Sequence, residues 1–309
     1  MAAVPAARAG ASGWSAAAAV APASIIVTIG IVLPIAILFR YSLNRYTPAR
    51  MMVDAFSIEN YAKFLTDPFY LAVLFRTIRV AALCTASCVV LAFPMAYCLA
   101  RTRSRFKNLM LMAIILPLFV GNAVRAAGWM VLFGNRGFVN SILMGLGITR
   151  EPLQIMYTEF AVVVGIIAVN LPFVVLTLQA VLEGIDPAIE EAALGLGADP
   201  WRTFRHVVLP LAMPGVIAGT ILSFILAMNA YATPVLLGGP TFQMMAPTVY
   251  NQFAGLSNWP FGAAMAFILM TATLLLTVTS NWLALARYRR AHVTPINVAG
   301  ETRSAGQLC

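Results

Sequence analysis

Glu191-Ala192-Ala193-Leu194-Gly195-Leu196-Gly197, followed after nine residues by Val207-Val208-Leu209-Pro210, is a polar interruption between two long apolar stretches. Its local signals are strong. Asp186-Pro187 supplies an N-cap acceptor and a proline at the first helical position, and Glu190 and Glu191 bring negative charge to the positive end of the helix that follows. A short helix is expected from Pro187 to Leu196, with Gly197 in the left-handed conformation that closes it. Asp199-Pro200 repeats the start signal for a second short helix ending near Leu209, so the segment reads as a helix-turn-helix hairpin. On the second arm Trp201, Phe204 and Val208 recur at helical spacing, while Arg202, Arg205 and His206 supply charge on the remaining surface. Connections in compact domains typically run about 4 to 6 residues. A connection of this length and order calls for a partner.

Composition sets the class around it. The 309 residues are 61% hydrophobic and only 10% charged, against roughly 45 to 50% apolar residues in soluble domains. Apolar runs near 16–39, 80–100, 108–133, 160–182, 213–237 and 261–286 each approach or exceed the roughly 20 residues that cross a bilayer as helix. The expected fold is therefore an all-α integral membrane protein with six transmembrane helices. The third and fifth runs carry Asn, Arg, Gly or Pro and need protein neighbours for their polar groups. Ser57-Ile58-Glu59-Asn60-Tyr61 begins a short amphipathic stretch with Ile58, Tyr61, Phe64 and Leu65 on one side, read as an interfacial helix. Asp67-Pro68 then starts the long helix of the second span.

The spacing Glu-Ala-Ala, three residues, Gly, nine residues, then Val207-Val208-Leu209-Pro210 resembles the EAA loop of ABC importer permeases, departing only in Val207 where that pattern has Ile. The resemblance implies a cytoplasmic coupling hairpin, residues 183–212, that docks into a cleft on an ATPase subunit. Glu190, Glu191, Ala192, Ala193, Gly197, Asp199, Pro200, Trp201, Arg202, Leu209 and Pro210 are its candidate coupling residues. Further motifs resemble the permeases of polyamine (spermidine and putrescine) importers. These are Leu116-Pro117, Val124-Arg125-Ala126-Ala127-Gly128-Trp129, Asn229 through Thr233-Pro234, Leu237-Gly238-Gly239-Pro240, and Asn258-Trp259-Pro260-Phe261-Gly262. The partners so implied are two ATPase subunits, a second permease that is a different chain, a periplasmic solute-binding protein and membrane lipid. Permeases for amino-acid-like solutes, opines, phosphonates or metals share the scaffold and stand as the alternative.

With the hairpin in the cytoplasm, parity puts both termini there too, in a bacterial inner membrane. The organisation is then a tail at 1–15, a six-span permease domain at 16–286 and a basic tail at 287–309. Arg101, Arg103, Arg105 and Lys107 between spans two and three, with Arg287, Arg289, Arg290 and Arg303 near the end, follow the positive-inside tendency. Arg40, Arg45, Arg50, Lys63, Arg76 and Arg79 run against it, so parity and motif decide the orientation. A net charge of +9 spread over both faces, without a basic patch interleaved with aromatics, points to lipid headgroups and away from nucleic acid. Cys84, Cys88, Cys98 and Cys309 form no disulfide framework and read as reduced. Phe39-Arg40-Tyr41 ends the first run without a small-residue cleavage site, as in an uncleaved anchor.

The polar residues inside apolar runs are the candidates for a solute path: Asn122, Arg125, Asn170, Asn229, Tyr231 and Thr233. Arg125 either faces protein or water or reaches the outer interface, since facing lipid at the bilayer centre costs about 2.5 to 3.5 kcal/mol on insertion scales. The asparagines either line a cavity or bond between helices. Glu159 either attracts a cationic solute or caps its own helix. Catalysis finds no footing. The two histidines, His206 and His292, both fall in predicted cytoplasmic segments, so no metal site or cofactor is expected. Neither Lys63 nor Lys107 follows a glycine, so no Walker A loop exists and ATP hydrolysis must reside in another subunit. An ion-coupled carrier wants buried carboxylates, and no Asp or Glu lies near the middle of any predicted span.

Overall fold

The computed structural model describes residues 13–292, with side chains over 21–282. Arg8, Arg303 and Cys309 lie outside the described residues, as do most of both predicted tails. Among the described residues the chain is helical, with one isolated antiparallel bridge between Arg45 and Val53. Its helices are α1 Gly13–Ser42, α2 Glu59–Thr66, α3 Pro68–Arg101, α4 Lys107–Ile115, α5 Asn122–Phe133, α6 Phe138–Gly145, α7 Glu159–Glu183, α8 Pro187–Gly195, α9 Pro200–Thr203, α10 Leu209–Met228, α11 Met245–Tyr250 and α12 Trp259–His292. Five stretches are long and apolar enough to cross a membrane: Ala21–Ser42, Pro68–Arg101, Glu159–Glu183, Pro200–Met228 and Trp259–Trp282. A sixth crossing is available as a bent pair, Lys107–Phe119 with Asn122–Gly145.

That bend corrects the straight third span expected over 108–133. The two halves meet at 99°. After α4 the chain tightens into a 3₁₀ turn at Leu116–Phe119, and Val120 then turns extended. Pro117 lacks an N–H and Gly121 is a poor helix former, so the break falls where both local rules place it. The fifth span is corrected at both ends. It was expected over 213–237 as a helix separate from the hairpin, yet α9 runs through a π-helical turn at Phe204–Val208 directly into α10. Pro210 cannot supply an N–H to the turn before it, and widening that turn, with Leu209 N–H reaching Phe204 C=O, lets the helix pass the proline without ending. At the far end the Asn229 carboxamide donates to Ile225 C=O at 2.9 Å and the helix stops at Met228.

The chain divides into two compact units, one of the chain up to Asp67 with Val249–Phe267, the other of Pro68–Thr248 with Ile268 onward. The larger unit is organised by α3, α7 and α10. Cys88, Ala92, Phe93 and Ala96 of α3 pack with Val174, Val175, Leu178 and Leu182 of α7 and Ala212 of α10, all buried. Small residues at these contacts let backbones approach closely, the usual basis of helix packing in lipid. Cys84 and Cys88 are buried and free, with sulfur 3.7 Å from Val163 C=O and 3.9 Å from Ile167 C=O, as small apolar residues would be placed.

In the smaller unit α2 is anchored by more than an apolar face. Asn60 donates to the carbonyls of Ser42 at 2.9 Å and Asn44 at 2.8 Å, and Phe64 is fully buried. Tyr61 shares a 2.8 Å hydrogen bond with Ser42. Ile58 and Leu65, expected on the same face, are exposed. Polar bonds to the last residue of α1 and to Asn44 just after it hold the helix away from its simple amphipathic orientation.

Candidate functional site

The hairpin builds itself from local backbone rules. Asp186 Oδ1 accepts from Ala188 N–H at 2.9 Å with Pro187 at the first helical position, and Asp199 Oδ1 accepts from Arg202 N–H at 2.7 Å with Pro200 in the same place. Gly197 adopts φ +86°. Around it Ala198 N–H reaches Ala193 C=O at 3.2 Å and Gly197 N–H reaches Leu194 C=O at 3.0 Å, the paired bonds of a Schellman motif. Both arms are thus capped without help from another chain.

The apolar residues of the hairpin sort into two sets. Val208 is buried, and Phe204 packs edge-on against Phe93 of α3 with ring centroids 5.3 Å apart. Trp201 stacks on Phe204 at 5.6 Å and is 68% exposed; Leu196 is 90% exposed, and Ile189 and Leu194 are exposed as well. The apolar stripe of the second arm therefore divides: Phe204 and Val208 seat the hairpin on its own bundle, and Trp201 joins Ile189, Leu194 and Leu196 on the outward surface. Glu191, Ala192, Asp199, Pro200 and Arg202 are exposed beside them, Ala193 is half-buried, and Leu209 and Pro210 lie half-buried at the start of α10.

Glu190 faces inward. Its carboxylate takes both the Nε of Arg101, at 2.9 Å, and the Nη2 of the same arginine, and Tyr97 Oη donates to its other oxygen at 2.8 Å. A second pair, Lys107 with Glu183 at 2.7 Å, lies at the same end, where α4 begins and α7 stops. Tyr97, Arg101, Lys107 and Glu183 were not site candidates in the sequence. Their basic members registered there only as topological charge, and the one available hint was an arginine ending a long apolar helix.

Toward the other end of the larger unit lies a cavity of about 320 Å³. Five of the six candidate path residues line it: Asn122, Asn170, Asn229, Tyr231 and Thr233, together with Ile166, Val169 and Ile225. Asn170 donates to Ser223 C=O at 3.2 Å, tying α7 to α10 at the cavity wall. Gly165 makes the wall possible. A Cβ there would lie 2.6 Å from side-chain atoms of both Thr233 and Leu237, so only glycine lets the turn at Pro234–Gly238 close against α7. Arg125 stands outside the lining; it bonds to Asn122 Oδ1, while its Nε and Nη1 are buried without a partner. Thr158 caps the N-terminal end of α7 by accepting from Ala161 N–H at 3.3 Å, and Glu159 in the first turn pairs with Arg79.

The wall contains amides, hydroxyls and aliphatic groups and no carboxylate. Helices α7 and α10 both reach from this cavity to the hairpin. Asn170 precedes Glu183 by thirteen residues, about 20 Å of helix.

Residues 88–290 match the family model described as binding-protein-dependent transport system inner membrane component. The chain is 34% identical over 229 residues to the spermidine/putrescine transport system permease protein PotB of Salmonella typhimurium (strain SL1344), covering 74% of this chain and 79% of that protein. The PotB protein of Escherichia coli (strain K12) is likewise 34% identical over 74% of this chain and 82% of its own length. The inner membrane ABC transporter permease protein YdcU of Escherichia coli (strain K12) is 34% identical over 66% of this chain and 69% of its own length. In fold, the chain is similar to one from a bacterial ABC transporter involved in the import of the acidic polysaccharide alginate, with a TM-score of 0.74, 16% identity, and coverage of 90% of this chain and 96% of that one.

Proposed function

The chain belongs to the family of binding-protein-dependent transport system inner membrane components and is a permease subunit of an ABC importer; from that premise we propose that its solute is a polyamine. The hairpin at 183–212 is the seat of a separate ATPase subunit, and a complete importer holds two such subunits, a second and different permease chain, and a periplasmic binding protein that delivers the solute. The hairpin and both termini lie in the cytoplasm. ATP hydrolysis takes place in the ATPase subunits alone.

One observation carries the reading. Helix α10 lines the cavity near its C-terminal end and α7 lines it at mid-length, and both join the capped hairpin, so a displacement of the hairpin is carried along two packed helices to the cavity wall. Closure and opening of the cavity then follow as rocking of packed helices, a small set of discrete arrangements. The lining suits an amine. An alkylammonium group has three donors and no acceptor, and the wall offers amide and hydroxyl oxygens with aliphatic surface for the methylene chain. Without a carboxylate in the lining, the cation is guided and not held, as passage requires.

The test is ATP-driven uptake. Proteoliposomes carrying this chain with its partner permease and ATPase, supplied with the binding protein, are expected to accumulate labelled spermidine or putrescine only when ATP is present. Accumulation of an amino-acid-like solute or a phosphonate in place of the polyamine overturns the solute; assembly without any ATPase subunit overturns the role of the hairpin.

A further inference from the structure

The surface of α8 presents one carboxylate outward and withdraws its neighbour. Glu190 is 13% exposed at the side chain and Arg101 18%, and all three guanidinium nitrogens of Arg101 are engaged: Nε and Nη2 on Glu190, and Nη1 on Ile185 C=O at 3.0 Å. Exposed ion pairs contribute little, because two long side chains must be ordered in water. This one is sheltered: two N–H groups of Arg101 converge on one carboxylate oxygen and Tyr97 donates to the other, so the carboxylate is held at both oxygens.

Its position explains what there is to fix. Between the end of α7 at Glu183 and the start of α8 at Pro187 stand only Gly184, Ile185 and Asp186, and α8 leaves through Gly197. A helix held at both ends by turns would pivot about that axis. Arg101 closes the pivot, gripping the first turn of α8 and the carbonyl of its linker from the last residue of α3.

We infer that Arg101 is a positioning residue for energy transmission: it joins α3 and α8 into one body, so that the hairpin moves the second span directly as well as α7 and α10. Lys107 extends the link to the bent third span through Glu183, whose Oε1 also accepts from Gln179 at 3.0 Å. The inference rests on the hairpin being the seat of the ATPase. Arg101 touches neither solute nor nucleotide in this account; it acts through Glu190.

Two measurements decide it. Hydrogen exchange at the amides of 188–196 is followed on the purified chain in lipid nanodiscs, and solute transported per ATP hydrolysed is followed in the assembled importer. Arg101→Gln and Glu190→Gln are expected to speed exchange across α8 and to lower the transport-to-hydrolysis ratio about tenfold, within the range of ordinary coupling between sites. The charge-exchanged pair Arg101→Glu with Glu190→Arg is expected to recover part of both. Tyr97→Phe, which removes one hydrogen bond, should shift both in the same direction by about twofold to threefold, and it decides the matter if the arginine variants do not fold. Unchanged exchange overturns the clamp, and faster exchange with an unchanged ratio overturns transmission through it. A wild-type chain that binds no ATPase defeats the functional reading separately, while the exchange experiment still judges the clamp.

Discussion

The hairpin and the cavity wall, both reached by α7 and α10, are built on opposite principles. At the hairpin end polar groups are charged, paired and assigned: Arg101 with Glu190, Lys107 with Glu183, Asp186 and Asp199 on backbone N–H groups. In the cavity wall they are neutral amides and hydroxyls spread around a 320 Å³ space. On the proposed reading force is delivered in a fixed direction at the first, which rewards strong oriented bonds, and solute leaves the second, which rewards weak ones. The contrast predicts that substitutions at the hairpin lower coupling, the solute moved per ATP hydrolysed, whereas those at the cavity lower the rate of uptake.

The largest effect is expected from Gly197→Val. Its φ of +86° is one that a β-branched residue adopts only under strain, on the order of 1 to 3 kcal/mol. The Schellman closure should open, the angle between α8 and α9 should be lost, and uptake should fall to background; wild-type uptake with full ATPase co-purification would reduce the hairpin to a connecting loop. Glu191→Lys should come next. Glu191 is exposed beside Leu194 and Trp201, so the variant is expected to leave the permease in the membrane at normal abundance while weakening ATPase co-purification by roughly tenfold, as removal of a well-placed interface charge does. Normal ATPase retention would mean that the outward face docks by its apolar residues alone. Smaller again, Asn229→Leu and Arg125→Ala should each slow uptake severalfold with the importer assembled and basal hydrolysis intact. If uptake holds steady, or the protein vanishes from the membrane, the two residues pack and do not serve the path. Last comes sidedness, with no expected loss of activity. In a cysteine-free background Ser257→Cys should react with an impermeant thiol reagent added from the periplasm and Ala198→Cys should not, and the opposite pattern would invert the orientation.

How much of this was legible depended on how far apart the participants stand in the sequence. The hairpin caps were readable because each is settled within a few residues: Asp186 with Ala188, Asp199 with Arg202, and Gly197 by its own backbone. The break near Gly121 was half legible. Pro117, Gly121 and Asn122 marked the third run as needing support, but an apolar run of sufficient length reads as straight until packing gives the two halves different neighbours. The pairing of Arg101 with Glu190 was not legible at all, because 89 residues separate them and charge alone says nothing about which acid will lie within reach. The same is true of the cavity wall. Asn122, Asn170 and Asn229 stood out as amides in apolar surroundings, yet Ile166, Val169 and Ile225 line the same space and look like any core residue. The face of the second hairpin arm was misjudged for a related reason, since periodicity identifies a stripe and not what covers it; Phe204 and Val208 went to Phe93 and the bundle core, and Trp201 did not.

The wide turn at Phe204–Val208 works as an indexing tooth between hairpin and span. A helix advances about 100° per residue, and a π turn takes in one residue more than an α turn, so everything before it is re-aimed by that much relative to everything after it. Trp201 points outward while Val208 and Ala212 point into the core. Gain or loss of a single residue between Phe204 and Val208 would therefore turn the outward face of the hairpin about the bundle by roughly a quarter turn while leaving span and cavity as they are.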